Sequence, residues 1–401
     1  MRDGFGFGGG ADERALVRRR LLILFATGAV VVGAALLTPP REAETGPQPR
    51  EFVLPREPVV RVRVRVLEPG RGARLKDVRA PGDSGGAVDL ALRNVGGVLQ
   101  VDGAARTLPA RFVAADASTF GLDEQRYYGD VIAVKEPNDA SILLVNRLPL
   151  DRYLEGVVLS EMSPRFPEEA LKAQAVASRS YAVYKLLSGK NRLYDVTDNQ
   201  RSQVYKGDGR GRATARSIVA ATRGLGMLYD GRVVEGVFSS TCGGSTRPAA
   251  EAFGDAAPAP LSGVVCGHCV EGEFATWTVK TKRAAVGRAL GLGGAITAIE
   301  DEARLPSGRL GGVTFRSAKG QKRVAGHELR NLLGDRALST WFTRLALEGD
   351  QLVAEGRGYG HGVGLCQVGA RTLANAGLDF AGILAYYYPG AVVAPLFPLE
   401  S

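Results

Sequence analysis

The segment Leu148–Leu187, LPLDRYLEGVVLSEMSPRFPEEALKAQAVASRSYAVYKLL, decides the fold. Tyr153, Leu154, Val157 and Val158 recur at helical spacing, and the pattern stops where Pro164 and Pro167 interrupt it. Pro167 followed by Glu168 and Glu169 predicts a second helix, because proline suits the first helical position and acids suit the positive end of the dipole. The turn between the two helices carries Glu161 beside Met162, close to Val158 and Leu159. A carboxyl held against apolar groups loses hydration, so its pKa rises and it keeps a proton near neutral pH. A general acid needs that property.

Upstream of this pair, Val60–Val66 alternates with period two, which predicts a strand with valines inward and Arg61, Arg63 and Arg65 on a solvated face. The runs GGVLQVDGAART, ARFVAAD, DVIAVKE and SILLVN add strands separated by turn residues. Downstream, 213–222 reads as a helix, and GLGMLYDGRVVEGVFSS as a hairpin turning at Asp230-Gly231. ATWTVKT and GGVTFRS read as strands, and HELRNLLG as a helix in which His327 has a surface or packing role. A glycine-rich loop over 356–364 precedes two helices, 365–376 and 380–388. The expected class is α+β (mixed α/β), a helical centre carrying the active-site turn between β-rich sub-domains, behind an N-terminal transmembrane helix. The parts are 59–147 (β-rich), 148–272 (helix pair and cysteine region), 273–355 (β-rich) and 356–397 (glycine-rich loop and terminal helices).

Three further blocks follow the Glu-Met turn in order: DVTDNQRSQVYKG at Asp195–Gly207, VFSSTCGGSTRPA at Val237–Ala249, and GRGYGHGVGLCQVGARTLANAG at Gly356–Gly377 with its tail ILAYYYPGA. Together the four resemble the sporulation stage II protein D (SpoIID/LytB, amidase-enhancer) family from about Leu143 to Ala391. The resemblance implies a lytic transglycosylase that cuts the glycan strands of peptidoglycan, preferring strands stripped of stem peptides, with Glu161 as the acid/base. Glycoside hydrolysis ordinarily uses two carboxylates. One suffices when the C6 hydroxyl of muramic acid attacks its own anomeric carbon, so Asp151, Glu155, Glu168 and Glu169 read as helix-end charges. The family motif also carries Gln and Arg at positions 174 and 179. Arg179 is therefore expected to orient Glu161 or bind a sugar carboxylate, and Gln174 to bond the glycan or a loop backbone. For both, a buried polar network beneath the cleft is the alternative. Gln203 and Tyr205 suit hydrogen bonding and stacking at a sugar, with a core role open for Tyr205. His361 is read as lining the cleft or as a hydrogen-bonded structural histidine, and Gln367 lies near the loop. The amidase-enhancer branch implies another reading, a non-catalytic wall-binding module that stimulates a partner amidase.

Cys266-Gly-His268-Cys269 and the upstream Cys242 supply three thiolates and an imidazole, a set that can hold tetrahedral zinc. The resemblance implies zinc near this region in some relatives, with a histidine three residues before the first cysteine; Ser239 holds that place here. A disulfide and free thiols stay open beside zinc. Cys366, alone in its helix, reads as a small buried hydrophobe.

Leu21–Leu37 carries no charge and follows Arg18-Arg19-Arg20. At about 1.5 Å per residue it spans roughly 25 Å, a little short of the roughly 30 Å hydrocarbon core. The basic flank keeps residues 1–20 in the cytoplasm and sends the body across, which predicts a single-pass membrane anchor with an extracytoplasmic body. The alternative is a cleaved signal peptide ending near Gly33 and Ala35. Residues 38–58 are a proline- and charge-rich linker. With 51 basic and 42 acidic residues the net charge is +9, which favours an anionic polymer or membrane surface. No basic run beyond Arg18–Arg20 and no basic-aromatic interleaving argues for nucleic acid, and the glycine loop fits no nucleotide-binding register.

Overall fold

The computed structural model describes residues 53–79, 86–115, 118–191, 193–208, 212–254, 258–269, 275–333, 339 and 341–398. The expected anchor at Leu21–Leu37 and residues 38–52 of the linker lie outside them, and no helix among the described residues is long and apolar enough to cross a membrane. The fold is mixed α+β with several sheets.

An 11-stranded sheet occupies the N-terminal part. Its strand Ile142–Pro149 lies between Val59–Leu67 and Asp130–Lys135, antiparallel to both. Ile142, Leu143, Leu144 and Val145 are all buried, the continuous apolar run of a strand covered on both faces. In Val59–Leu67 the valines at 60, 62 and 64 point into the core as the alternation predicts, but a register shift between Arg63 and Arg65 leaves Val66 exposed. The outward arginines are not simply solvated. Arg61 pairs with Asp195 at 2.6 Å, Arg65 pairs with Asp123 at 2.8 Å, and Arg63 donates to the Tyr194 hydroxyl at 3.2 Å. Val62 and Arg63 also pair, in parallel, with the two-residue strand Val196–Thr197. That edge pairing launches the loop 198–205.

Strand Ile142–Pro149 runs straight into the helix Leu150–Glu161. This helix stops where Met162 turns extended, its N–H still bonded to the Val158 carbonyl. The second helix, Glu168–Ser188, begins one residue later than the proline rule suggests. Pro167 is its N-cap, with φ −54° and ψ 147°, and Gly189 at φ 56° ends it. From Ala170 to Val183 every residue except Lys172 is buried. A helix buried on all sides is a central one. Around it pack Leu150–Glu161, the helix Arg212–Ala221, the strand Leu225–Tyr229, and the terminal helices Gln367–Asn375 and Phe380–Tyr387.

The hairpin forms as read: Leu225–Tyr229 pairs with Arg232–Val233 through Asp230 (φ 48°) and Gly231 (φ 69°), both left-handed as a type I′ turn requires. A second hydrophobic core, around Trp277, Phe315 and Phe342, belongs to two three-stranded sheets and two helices between residues 276 and 357. The helix expected over 365–376 starts at Gln367, because Leu365 and Cys366 form a parallel pairing with Phe238–Ser239.

Gly156 shows how closely the first helix meets the loop. A Cβ there would lie 2.5 Å from Cε2 of Tyr205 and 2.7 Å from the Gly207 carbonyl oxygen. Alanine gains about 1 kcal/mol in helix propensity, but overpacking costs about 1–3 kcal/mol. Gly156→Ala should therefore lower the urea midpoint of unfolding; an unchanged or higher midpoint would show that the Tyr205 ring yields freely.

Candidate functional site

Glu161 is the last residue of its helix, and its carboxylate accepts the N–H of Val204. The side chain is half-buried, and loss of hydration pushes its pKa above the ordinary carboxylate range, with the Val204 bond partly opposing. Val204 is held by its loop. Thr197 N–H donates to the Ser202 hydroxyl at 3.1 Å, and Ser202 N–H donates to the Asn199 carbonyl at 2.9 Å. The Tyr205 hydroxyl donates to Asn146 Oδ1 at 2.9 Å, which ties the loop to the central strand.

A chain of amides supports the carboxyl from behind. Gln367 Nε2 donates to the Glu161 carbonyl at 3.3 Å and to Gln174 Oε1 at 3.1 Å. Gln174 Nε2 donates to the Ser178 hydroxyl at 2.9 Å, and the Tyr153 hydroxyl donates to Gln203 Oε1 at 3.0 Å. Gln174 and Gln203 are fully buried, and Tyr205 and Gln367 are nearly so. Gln174 and Tyr205 thus take the buried alternatives left open for them, and Gln203 and Gln367, expected at the substrate, also bond within the protein.

Arg179 likewise takes its buried alternative and not the role of orienting Glu161. It is fully buried, but its Nη2 pairs with Asp151 Oδ1 at 3.0 Å and its Nη1 donates to the Leu225 carbonyl at 3.0 Å. Asp151 lies in the first turn of the helix that Glu161 ends, so the guanidinium serves the far end of that helix.

A cleft of about 410 Å³ opens beside the Val204 loop. Its walls include Tyr181, Tyr184, Lys185, Arg201, Phe253 and His361. Burial pushes the Tyr181 hydroxyl up, opposed by the charge of Lys185 and a hydrogen bond with Ser202. Ser202, two residues before Val204, also lines the cleft. His361 does line it, and Nδ1 accepts the Val363 N–H at 3.1 Å. Burial, reinforced by Arg247, pushes its pKa down to about 4, so the imidazole is neutral at pH 7. Sequence reasoning missed Tyr181, Tyr184 and Lys185, whose i, i+3, i+4 spacing looks like any half-exposed helix face. It also missed Asp198, whose carboxyl burial holds above its usual range in a shallow hollow with Arg201 and Val204.

The four cysteines gather on the other side of the glycine-rich loop. The Sγ atoms of Cys242, Cys266, Cys269 and Cys366 all lie within 4.8 Å of one another, all four are buried, and none is in a disulfide. Cys242 and Cys269 sulfurs are 3.3 Å apart, and Cys266 and Cys269 sulfurs 3.9 Å. Tetrahedral Zn–S bonds of about 2.3 Å put sulfurs about 3.8 Å apart. Two expectations change. Cys366 is a member of the cluster rather than an isolated hydrophobe, and His268 stands aside with its ring 5.4 Å from that of Tyr386. Arg309 tests the fit. It is buried, Nη2 donates to the carbonyls of Cys242 and Ser245 at 2.9 Å each, and its Nε and Nη1 have no hydrogen-bond partner among the described residues. No carboxylate pairs with it among the described residues; its guanidinium lies 4.5 Å from the Trp341 ring centre, and a buried cation without an anion is costly. Four thiolates around a divalent cation carry net negative charge and would offset that cost. The donor set thus suits a thiophilic divalent ion such as zinc.

The sequence profile of the family described as Stage II sporulation protein (SpoIID) matches residues 138–229. Stage II sporulation protein D of Bacillus subtilis is 30% identical over 280 residues, which cover 62% of this chain and 76% of that protein. An uncharacterised protein of Brachyspira hyodysenteriae is 32% identical over 272 residues, 68% of this chain and 73% of that protein. The chain belongs to the stage II sporulation protein D family. The amidase enhancer of Bacillus subtilis is a more distant relative, 24% identical over 329 residues that cover 69% of this chain and 45% of that protein. The family match spans the helix pair, the Val204 loop and the hairpin strand through Tyr229, so Glu161, Gln174, Arg179, Gln203 and Tyr205 fall inside it. His361, Gln367 and the cysteines lie beyond it.

Because Arg179 joins Asp151 to two carbonyls, its loss leaves a partly buried carboxylate with only the half-exposed Arg223 at 3.7 Å. Arg179→Met should destabilise the protein by about 3–5 kcal/mol, and Arg179→Lys should recover only part, since an ammonium lacks the planar fork. Denaturant unfolding of both variants measures this; wild-type stability in either would contradict a clasp role.

Proposed function

We propose that this chain acts on the bacterial cell wall as a lytic transglycosylase of peptidoglycan glycan strands, with Glu161 as its single general acid/base. The observation that carries this reading is a half-buried carboxyl, raised above its ordinary range by desolvation, bonded to a loop whose residues 200–202 line an aromatic-walled cleft. In the proposed reaction Glu161 gives its proton to the glycosidic oxygen as the bond to the muramic C1 breaks. The C6 hydroxyl of the same sugar then bonds to C1 and returns its proton to Glu161, leaving a 1,6-anhydro end. No second carboxylate is required, and no water is consumed. Gln367 and Gln174 act as positioning residues through the Glu161 carbonyl. Export by the Leu21–Leu37 segment would bring the body to this substrate.

We also assign Cys242, Cys266, Cys269 and Cys366 as the ligands of a structural zinc ion. When bound, zinc would cross-link the 242–269 segment to the helix that starts at Gln367. The purified protein should contain one zinc per chain by elemental analysis. Cys366→Ser should lose it and His268→Ala should keep it; the opposite pair of results would restore the histidine as ligand.

The likeness to an amidase enhancer supports a second reading, a wall-binding module that stimulates a partner amidase without cutting glycan. Product analysis separates the two. The full-length protein should release 1,6-anhydro ends from peptide-stripped glycan, and Glu161→Gln should slow this by about 10²- to 10⁴-fold. Binding to sacculi with faster amidase turnover but no anhydro products would establish the second reading.

Activity should fall as pH rises through the raised pKa of Glu161, because only the protonated form can donate. Stability should follow the same sign. Below the ordinary carboxylate range both folded and unfolded states are protonated. Above it the unfolded chain releases its proton first, so ionisation favours unfolding. Glu161→Gln should therefore melt at the same temperature as the parent or higher at pH 8, and lose that relative advantage at pH 4.

A further inference from the structure

We propose that Asn146 and Tyr153 are positioning residues for Glu161, each gripping a neighbour of the loop amide that bonds its carboxylate. This rests on the acid/base reading above and adds two residues that the sequence does not mark as functional. Val204 stands between Gln203 and Tyr205, and both of these neighbours are buried. Gln203 Oε1 accepts the Tyr153 hydroxyl at 3.0 Å, and the Tyr205 hydroxyl donates to Asn146 Oδ1 at 2.9 Å. The first grip comes from the helix that Glu161 ends, the second from the strand Ile142–Pro149 that leads into this helix. The donor is thereby held on either side by the elements that carry the acceptor. Asn146 and Tyr153 are themselves fully buried, so neither touches a substrate.

Each grip has a fixed direction. Asn146 Nδ2 donates to the Tyr128 carbonyl at 2.8 Å and to the Asp130 carbonyl at 2.9 Å, which leaves Oδ1 to accept. The phenol of Tyr205 must therefore donate. Its ring is held independently of that bond, 5.1 Å from the Tyr153 ring and 5.8 Å from the Tyr127 ring between centres, and against Gly156. Deleting either hydroxyl thus removes a grip without removing a ring. The consequence falls on the proton. Burial and the Val204 bond are the two influences on the Glu161 carboxyl, and they oppose each other. A hydrogen bond to the ionised form favours that form. The Tyr153 and Tyr181 hydroxyls, which feel the charge of Glu161, are both pushed up by burial and stay neutral at pH 7. A loop released at either grip offers a weaker bond, and the acid then keeps its proton to higher pH.

The test is a direct titration of Glu161 in the full-length protein, by NMR of isotope-labelled glutamate carboxyls with the signal assigned from Glu161→Gln. Tyr205→Phe and Tyr153→Phe should each raise the midpoint by about 0.5–1 unit. If the protein cuts glycan, the alkaline limb of its pH–rate profile should move by the same amount. Leu352→Ala, a cavity in the second core, should lower the melting temperature and leave the midpoint where it is, which separates positioning from a general loss of stability. Parent midpoints in both phenylalanine variants, or an equal rise in Leu352→Ala, would overturn the proposal. A parent that releases no anhydro ends would instead defeat the acid/base reading and leave the titration measurable.

Discussion

The N–H of Val204 donates to the carboxylate of Glu161, and maintaining that bond engages much of the molecule. The acceptor sits at the end of a helix fed directly by strand Ile142–Pro149. The donor sits in a loop started by Val196–Thr197, at the edge of the same sheet. Only Val59–Leu67 lies between those two strands, so the sheet sets the spacing of acid and amide. Tyr205 then fills the gap between them, its ring against Gly156 and its hydroxyl on Asn146. The carboxyl ends up partly dehydrated with a single hydrogen-bond donor from the loop, and the desolvation outweighs that donor. Two or three donors would have pulled its pKa the other way.

What the sequence revealed and what it withheld divide along physical lines. Period-two valines announced the strand Val59–Leu67, helical spacing and prolines announced the helix pair, and Asp230-Gly231 announced its turn, because each depends on neighbours within a few residues. The apolar neighbours of Glu161 on its own helix were legible for the same reason, but the Val204 loop that bonds its carboxylate was not. The fates of Gln174, Gln203 and Gln367 were not, since whether an amide faces a sugar or another amide depends on segments far apart in the chain. Arg179 was recognisable as an arginine in a buried helix, but its partner Asp151 belongs to the opposite end of the preceding helix. The cleft is made from the second helix, the 200–202 loop, Phe253 and His361, and no local pattern joins them.

The cysteines illustrate the limit most clearly. C-x-x-C spacing drew attention to Cys266 and Cys269, and the histidine between them looked like a ready ligand. The fourth thiol comes instead from Cys366, on the far side of the 276–357 unit. That placement depends on the parallel pairing of Phe238–Ser239 with Leu365–Cys366 and on Arg309, which reaches from the second core to the Cys242 carbonyl. The second core thus supplies no cluster ligand, yet it donates a charge beside the thiols.

The parallel pairing also fixes a timetable. It joins segments far apart in the chain, as does the bond from Cys242 N–H to the Cys366 sulfur across 124 residues. Contacts of such span close late. During synthesis the polypeptide carries Glu161 long before Gln367 arrives to brace the carbonyl of that residue. The Glu161–Val204 turn can therefore form early and be braced last, so a nascent chain passes through biogenesis with that turn unsupported.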